Sequence, residues 1–225
     1  MVTFQSTFLR QKGGFFFQIT QVTPEQIMDK TDLKVRAFVS PTPTVIASAY
    51  DENGRADACT LAFVMMSSHF PPCVTIAINA TAQRKTLKSI LHSGAFVVGY
   101  PSTDQVIAAD YLGVETGYHA DKLKTLGYTT TKAKCVDAPV IDQLKLSLEC
   151  KVVHTVTVGS HTQITGEIKN IQADREIVDA QGKVMMDKLA PIIYNEEAFT
   201  YHKLGECIAD AFKTGAAFKK DLMTK

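Results

Sequence analysis

Hydrophobic and polar residues alternate most regularly in the second half of the chain. Leu144, Leu146, Leu148, Cys150 and Val152 interleave with Lys145, Ser147, Glu149 and Lys151, the period of two expected of a strand buried on one face. A turn at Gly159-Ser160 follows, and alternation resumes from His161 to Ala173. Asp179-Ala180-Gln181-Gly182 reads as a further turn, and Pro191 to Tyr194 as a short strand. In the first half, Val45 to Tyr50 reads as a strand. Asp51-Glu52-Asn53-Gly54-Arg55 then carries Asn-Gly at its centre, a strong hairpin signal. A second strand is expected from about Ala58 to Met66. Pro71-Pro72 closes the next loop. Cys73 to Ile78 is a third strand with Val74, Ile76 and Ile78 on one face, and Phe96 to Gly99 is a short buried strand.

Helical spacing is sparser. Leu87, Ile90 and Leu91 mark one helix, and Val106, Ile107 and Leu112 another. The tail from Leu204 to about Lys219 is expected to be an amphipathic helix with Leu204, Ile208 and Phe212 on its stripe. Thr23-Pro24-Glu25-Gln26 has the residues of a helix start, running one or two turns to Lys30, while the rest of the first 35 residues shows no clear element. Many short strands separated by turns, with a few helices inserted, predict a mainly β fold with helical additions, in which a β-barrel makes one domain.

Composition adds exclusions. Hydrophobic residues are 45% of the 225 and charged residues 21%, which suits a chain that buries a core. The formal charge of +1 provides no overall field for nucleic acid or an anionic membrane. No apolar run is long enough to span a bilayer. Phe15-Phe16-Phe17, after Arg10 and Lys12, is too short for a signal-peptide core and reads as a packing or dimer patch. A cytoplasmic location is expected. Cys59, Cys73, Cys135, Cys150 and Cys207 are odd in number and widely spaced, without a CxxC pair; neither zinc nor a disulfide framework is expected.

The segment Asn79-Ala80-Thr81-Ala82-Gln83-Arg84-Lys85-Thr86 leaves a buried strand and opens a helix. Free N–H groups at a helix start, threonine hydroxyls and two cations suit a phosphate dianion. The same residues equally describe a capped surface helix with solvated charges. Ser67-Ser68 offers hydroxyls at a strand end and reads either as a second phosphate contact or as loop chemistry.

Taken in order, Gly54-Arg55-Ala56-Asp57-Ala58-Cys59-Thr60-Leu61-Ala62-Phe63, Ser67-Ser68, Pro71-Pro72-Cys73-Val74, Arg84-Lys85-Thr86 and Phe96-Val97-Val98 resemble the flavin reductase-like family of FMN-binding split barrels, which includes flavoredoxins. The likeness continues through Leu148-Glu149-Cys150, Gly159-Ser160-His161, Gly166-Glu167-Ile168 and Tyr201-His202-Lys203-Leu204-Gly205-Glu206. The resemblance implies a six-stranded antiparallel split β-barrel over 41–206, an N-terminal extension at 1–40 that packs on it, and a helical tail at 207–225. It also implies a homodimer with one non-covalent FMN near the interface on each side. In that arrangement the strand Asp57, Cys59, Thr60, Leu61 and Ala62 lies along the flavin. Ser67, Ser68, Arg84, Lys85 and Thr86 hold or surround the phosphate, Asn79 and Ala80 line the ribityl chain, and His161 lies close to the cofactor. Phe199 or Tyr201 covers the ring.

The family usually has Asn where this chain has Asp57, and often Lys-Asp-Thr where it has Arg84-Lys85-Thr86. A carboxylate at 57 either places negative charge beside the flavin or forms a structural ion pair. His154 reads as structural, His69 as pocket mouth or loop, Tyr118 and His119 as lid or surface, and Cys59 as a packing residue or a redox thiol. The expected chemistry is hydride transfer from NADH or NADPH, then electron delivery to a small-molecule or protein acceptor. A flavin carrier without direct nicotinamide turnover is the alternative. Cofactor chemistry of this kind needs no protein triad or paired carboxylates.

Overall fold

The structure, a computed structural model, describes residues 3–11, 14–22 and 30–223, the first two stretches by backbone alone. The chain divides into two compact units, Met1–Ala37 and Phe38–Lys225. In the first, β1 (Thr3–Gln11) and β2 (Gly14–Val22) form an antiparallel hairpin that pairs Thr3 with Val22 and Gln11 with Gly14. No element was expected over these strands. The helix start expected at Thr23-Pro24 lies outside the described residues, and so do the side chains of Phe15 to Phe17.

The second unit begins with β3 (Thr42–Pro43), β4 (Val45–Tyr50), β5 (Ala56–Leu61), β6 (Val64–His69) and β7 (Pro72–Asn79). Helix α1 (Lys85–Ser93) and β8 (Ala95–Gly99) follow, then α2 (Val106–Val114), α3 (Lys122–Thr125), β9 (Thr130–Lys132) and β10 (Pro139–Ile141). Two long strands, β11 (Leu146–Val158) and β12 (His161–Ala173), precede α4 (Met186–Leu189), β13 (Ile192–Asn195), β14 (Thr200–Lys203) and α5 (Lys213–Met223). Among the described residues no helix is long and apolar enough to cross a membrane.

Seven strands make one antiparallel sheet in the order β5-β4-β8-β11-β12-β7-β6. This corrects the expected six-stranded barrel. The sheet has one strand more, and its ladder does not close, because β5 and β6 remain its edges. The cause is a break at Ala62-Phe63 in what was expected to be one strand from Ala58 to Met66. After Leu61 the chain leaves β4; the Phe63 carbonyl accepts the Ala77 N–H at 2.9 Å, and β6 then pairs with β7.

Successive residues of β4 point to opposite sides, as the pleat demands. Val45 and Ala47 join Ile76, Phe96, Val98 and Ile164 in the main core, which Leu87 and Ile90 of α1 also enter. Ile46 joins Ala58, Leu112, Leu123, Ile141 and Leu144 on the other side. Burying side chains of this size stabilises by about 1.5–3 kcal/mol each. Helix α1 stops at Gly94, whose φ of 67° is a left-handed cap conformation and whose N–H bonds the Ile90 carbonyl.

The alternation of β11 does not translate into one buried face. Residues 146–150 are buried on both sides, Ser147 and Glu149 included, because β11 runs there between β8 and β12. Beyond Lys151 the strand keeps only β12 as neighbour and is largely exposed. The tail also differs from expectation. Leu204, Ile208 and Phe212 are exposed and precede the helix, which spans Lys213–Met223.

Candidate functional site

The end of β5, the end of β7, the start of β12 and the residue before α1 converge on a groove of about 170 Å³. Cys59 to Phe63 form one wall, Ala77 to Asn79 the other, and Arg84 and His161 complete the lining. Sheet register explains the meeting. His161 pairs with Asn79, and the Ala80 N–H bonds the Ser160 carbonyl at 2.9 Å. The His161 ring lies 5.1 Å from the Phe63 ring at 33°, and its Nδ1 is 2.9 Å from Ser160 Oγ. Seven of the expected residues meet here: Cys59, Thr60, Leu61, Ala62, Asn79, Arg84 and His161.

As an edge strand, β5 has backbone N–H and C=O groups on the side away from β4 that the ladder does not use. Cys59 and Leu61 point into the core, while Thr60 Oγ1 donates to the Ala109 carbonyl of α2 at 2.5 Å. Burial pushes the Cys59 thiol up to about 11. It is therefore a protonated packing group at neutral pH rather than a nucleophile.

The turn after β7 is built by Asn79. Its Oδ1 accepts from Thr81 N at 2.9 Å, Thr81 Oγ1 at 2.7 Å and Ala82 N at 3.1 Å. Asn79 thereby shapes the approach to α1. Gln83 then takes φ 47°, a left-handed conformation that costs a non-glycine residue some strain. Helix α1 opens without a side-chain cap at Arg84, so its first N–H groups are not taken by one. Arg84 Nη1 donates to the Glu115 carbonyl at 3.0 Å and to Val114 at 3.4 Å. These carbonyls end α2, where the helix dipole is negative. The contacts hold the guanidinium in place and leave its other N–H groups without partners among the described residues.

Other expected residues have different surroundings. Lys85 Nζ lies 2.8 Å from Asp51 Oδ2 in the β4–β5 hairpin. Burial alone would raise the Asp51 pKa, but Lys85 and the backbone N–H groups of Arg55 and Asn53 outweigh it and hold the group at about 2. Thr86 is buried and donates to Asp57 Oδ2 at 2.6 Å. Asp57 is buried too, with Lys122 Nζ 3.5 Å from its Oδ1. Lys122 also donates to the Ala58 carbonyl of β5 and, at 3.4 Å, to that of Glu115. Gly117 lies tight against Asp57; a Cβ there would come within 2.2 Å of Oδ1. Of the two alternatives at position 57, the structure shows the ion pair.

Ser67 and Ser68 lie in β6, with a bulge between Met66 and Ser68. Ser68 pairs with Cys73, at the opposite end of β7 from Asn79. Six residues of strand separate the two ends, about 20 Å, so one chain does not bring the serines to Arg84. Ala80 lines a second pocket that shares Arg84 with the groove. Outside the groove, His69, His154 and Phe199 are exposed, and the Tyr201 hydroxyl donates to Asp110 at 2.9 Å. Tyr118 lines the second pocket, and His119 Nδ1 is 3.5 Å from Glu115 Oε1. Sequence reasoning missed Phe63, Ala77, Ile78 and Lys122. The first three adjoin expected residues; nothing local distinguishes Lys122, which reaches β5 across 64 residues.

The family described as flavin reductase like domain matches residues 37–202. The fold is similar to that of flavoredoxin of Desulfovibrio vulgaris (Miyazaki F), at a TM-score of 0.78 and 30% identity, over 83% of this chain and 99% of that one. Flavoredoxin from Methanosarcina acetivorans is similar at TM-score 0.78 and 26% identity, over 84% and 99%. An uncharacterized protein of Bacillus subtilis (strain 168), YwrF, is 26% identical over 203 residues, 85% of this chain and 96% of that protein.

Proposed function

Because the chain belongs to the flavin reductase-like family, we propose that it binds FMN non-covalently and works as an NAD(P)H-dependent oxidoreductase. The groove at the β5 edge, with Arg84 at its lining, is the observation that carries this reading. Its residues suit the cofactor. A planar ring needs a flat apolar slot, which Ala62, Phe63 and Ala77 provide. A pyrimidine edge needs donors and acceptors, which an edge strand presents. A phosphate needs a fixed cation and free N–H groups, which Arg84 and the uncapped start of α1 offer.

When bound, the flavin supplies hydride acceptance and electron release. The chain's own task is to orient and shield it. The β5 backbone would meet the polar edge, the rings of Phe63 and His161 would close one side, and Arg84 would hold the phosphate. Asp57 and Lys122 stand behind β5 as a neutral pair. NADH or NADPH is the proposed donor, and a small molecule or partner protein the acceptor. A homodimer is part of the proposal. Val153, Val156 and Val158 of β11 and Met65, Met66 and Phe70 of the β6–β7 hairpin are exposed apolar residues that a second copy would cover.

The similarity to two flavoredoxins favours a second reading, an FMN electron carrier without direct nicotinamide turnover. Anaerobic addition of NADH to the flavin-loaded protein separates the two: rapid bleaching supports the reductase, and a stable spectrum the carrier. Arg84→Ala tests the site itself. It is expected to weaken FMN binding by about 1–3 kcal/mol, the scale of a charge-assisted bond left unmade. Unchanged affinity by flavin fluorescence titration would place the phosphate elsewhere.

A further inference from the structure

A buried ammonium must replace the water on its three donors, and Lys122, 2% exposed, does so with oxygens from two separate segments. Its Nζ donates to the Ala58 carbonyl of β5 and, at 3.4 Å, to the Glu115 carbonyl at the end of α2, and it lies 3.5 Å from Asp57 Oδ1. The Glu115 carbonyl is also the one that accepts from Arg84 at 3.0 Å. One oxygen therefore carries both cations. Asp57 offsets their repulsion, and its other oxygen takes the hydroxyl of Thr86, two residues past Arg84, at 2.6 Å. These contacts close a ring through β5, the start of α1 and the α2–α3 loop, with Lys122 at its centre. The loop is seated on the pair: a Cβ on Gly117 would come within 2.2 Å of Asp57 Oδ1.

The direction of the β5 backbone agrees. The Asp51 N–H bonds the Arg55 carbonyl at 2.9 Å and opens the β4–β5 ladder. Counting by twos, Ala49 with Asp57 and Ala47 with Cys59 bond across it, whereas Ala58 and Thr60 turn their backbone groups away from β4. Lys122 takes the outward carbonyl of Ala58 and leaves the next outward pair, at Thr60 in the groove lining, outside the ladder.

We propose that Lys122 is a positioning residue of the flavin site. Through the Ala58 carbonyl it holds the β5 edge that meets the ring, and through the Glu115 carbonyl it holds the support of Arg84, so that the two ends of the cofactor are kept in register. The inference rests on the flavin reading.

The test reads the phosphate contribution as the ratio of the riboflavin and FMN dissociation constants, by flavin fluorescence titration of the purified full-length chain. The parent is expected to bind FMN about tenfold or more tightly than riboflavin. Lys122→Met is combined with Asp57→Asn, which leaves neither charge unpaired, and the double variant is compared with Asp57→Asn alone. The ratio is expected to fall by about threefold or more on going to the double variant, although Lys122 touches neither flavin. Gly117→Ala keeps every charge but forces the loop and Asp57 apart, and should lower the ratio too. Folding is checked by thermal melting. A merely structural lysine would weaken both flavins alike, so an unchanged ratio in the folded double variant overturns the proposal; should the double variant not fold, the same result in Gly117→Ala overturns it. In either case FMN binding by the parent leaves the flavin reading standing. A parent that binds neither flavin overturns that reading, and one that binds both alike removes Arg84 as the phosphate anchor; each takes the proposal with it.

Discussion

Three carboxylates are buried among the described residues, Asp51, Asp57 and Glu149, and the last two are accommodated in opposite ways. Glu149, in the two-sided part of β11, is met by neutral donors: the Cys135 N–H at 2.7 Å, Asn170 Nδ2 at 2.8 Å and Gln172 Nε2. Burial works to raise its pKa, yet these hydrogen bonds win and hold it below the ordinary glutamate range. Its negative charge stays in the sheet, solvated by amides. Asp57, behind the groove, is met by the Thr86 hydroxyl and by the Lys122 ammonium. There the charge is cancelled. A carboxylate deep in the sheet can keep its charge at little cost to function. One beside an electron-transfer site would bias it, since negative charge disfavours an anionic reduced ring.

The comparison breaks most sharply at Lys122. Lys122→Met leaves Asp57 as a buried, unpaired charge and is expected to cost about 3–5 kcal/mol in urea denaturation. Asp57→Asn combined with Lys122→Met should recover a large part of that loss. If the double variant is no more stable than the single one, the two groups do not compensate each other. In any flavin-loaded Lys122→Met protein the reduction potential should fall; an unchanged potential would mean that the pair lies too far from the ring to matter.

Glu149→Gln keeps the shape but removes the charge and turns one acceptor into a donor that faces other donors. The expected loss is about 1–3 kcal/mol, with flavin affinity and potential unmoved because the residue is remote from the groove. A shifted potential would undo the contrast between the two acids.

Acid titration sharpens the picture from outside the pair. Asp51 is ordinarily near 3.8 and is held at about 2. A depressed folded-state pKa gives stability that is full above the unfolded value and is lost as pH falls through the folded one. Between about pH 4 and pH 2 the contacts of Asp51 with Lys85 and with the Asn53 and Arg55 N–H groups should therefore together surrender about 2 kcal/mol. Glu149 adds a loss of the same sign. Lys85→Met should remove the lysine's share of this acid slope and leave that of the Asn53 and Arg55 N–H groups, as read from denaturation midpoints at pH 7, 4 and 3.

The mildest test concerns the thiols. Cys135 and Cys207 are exposed, whereas Cys59, Cys73 and Cys150 are buried. Burial also pushes Cys150 up to about 12. A thiol reagent at neutral pH should label two cysteines quickly and the other three only on unfolding. Rapid labelling of Cys59 would return it to the redox reading.

How far the sequence could be read follows the range of the forces involved. Local patterns sufficed for β12, found at His161–Ala173, because a pleated strand with one dominant core face writes a period of two into its residues, and for β4, found at Val45–Tyr50 and buried on both faces, because the Pro41–Pro43 punctuation and the Asn53-Gly54 turn bound it. They also sufficed for the turn that places Asn79 beside Arg84. The spacing of Leu87 and Ile90 located α1, but only packing shows that Leu91 faces a pocket rather than the core. Alternation could not tell that residues 146–150 are enclosed on both sides, since β8 comes from a segment about fifty residues away. It could not see that Phe63 breaks a strand by bonding Ala77, or that Lys122 would cross 64 residues to neutralise Asp57. Sequence by itself determined β4, β7, β8, β11, β12 and β13, the turns after β4 and β11, and the side chains present at the β5–β7 groove. Tertiary structure alone decided which charges meet, which serines lie too far away and which face stays open, because contact between distant segments is set by sheet order and burial.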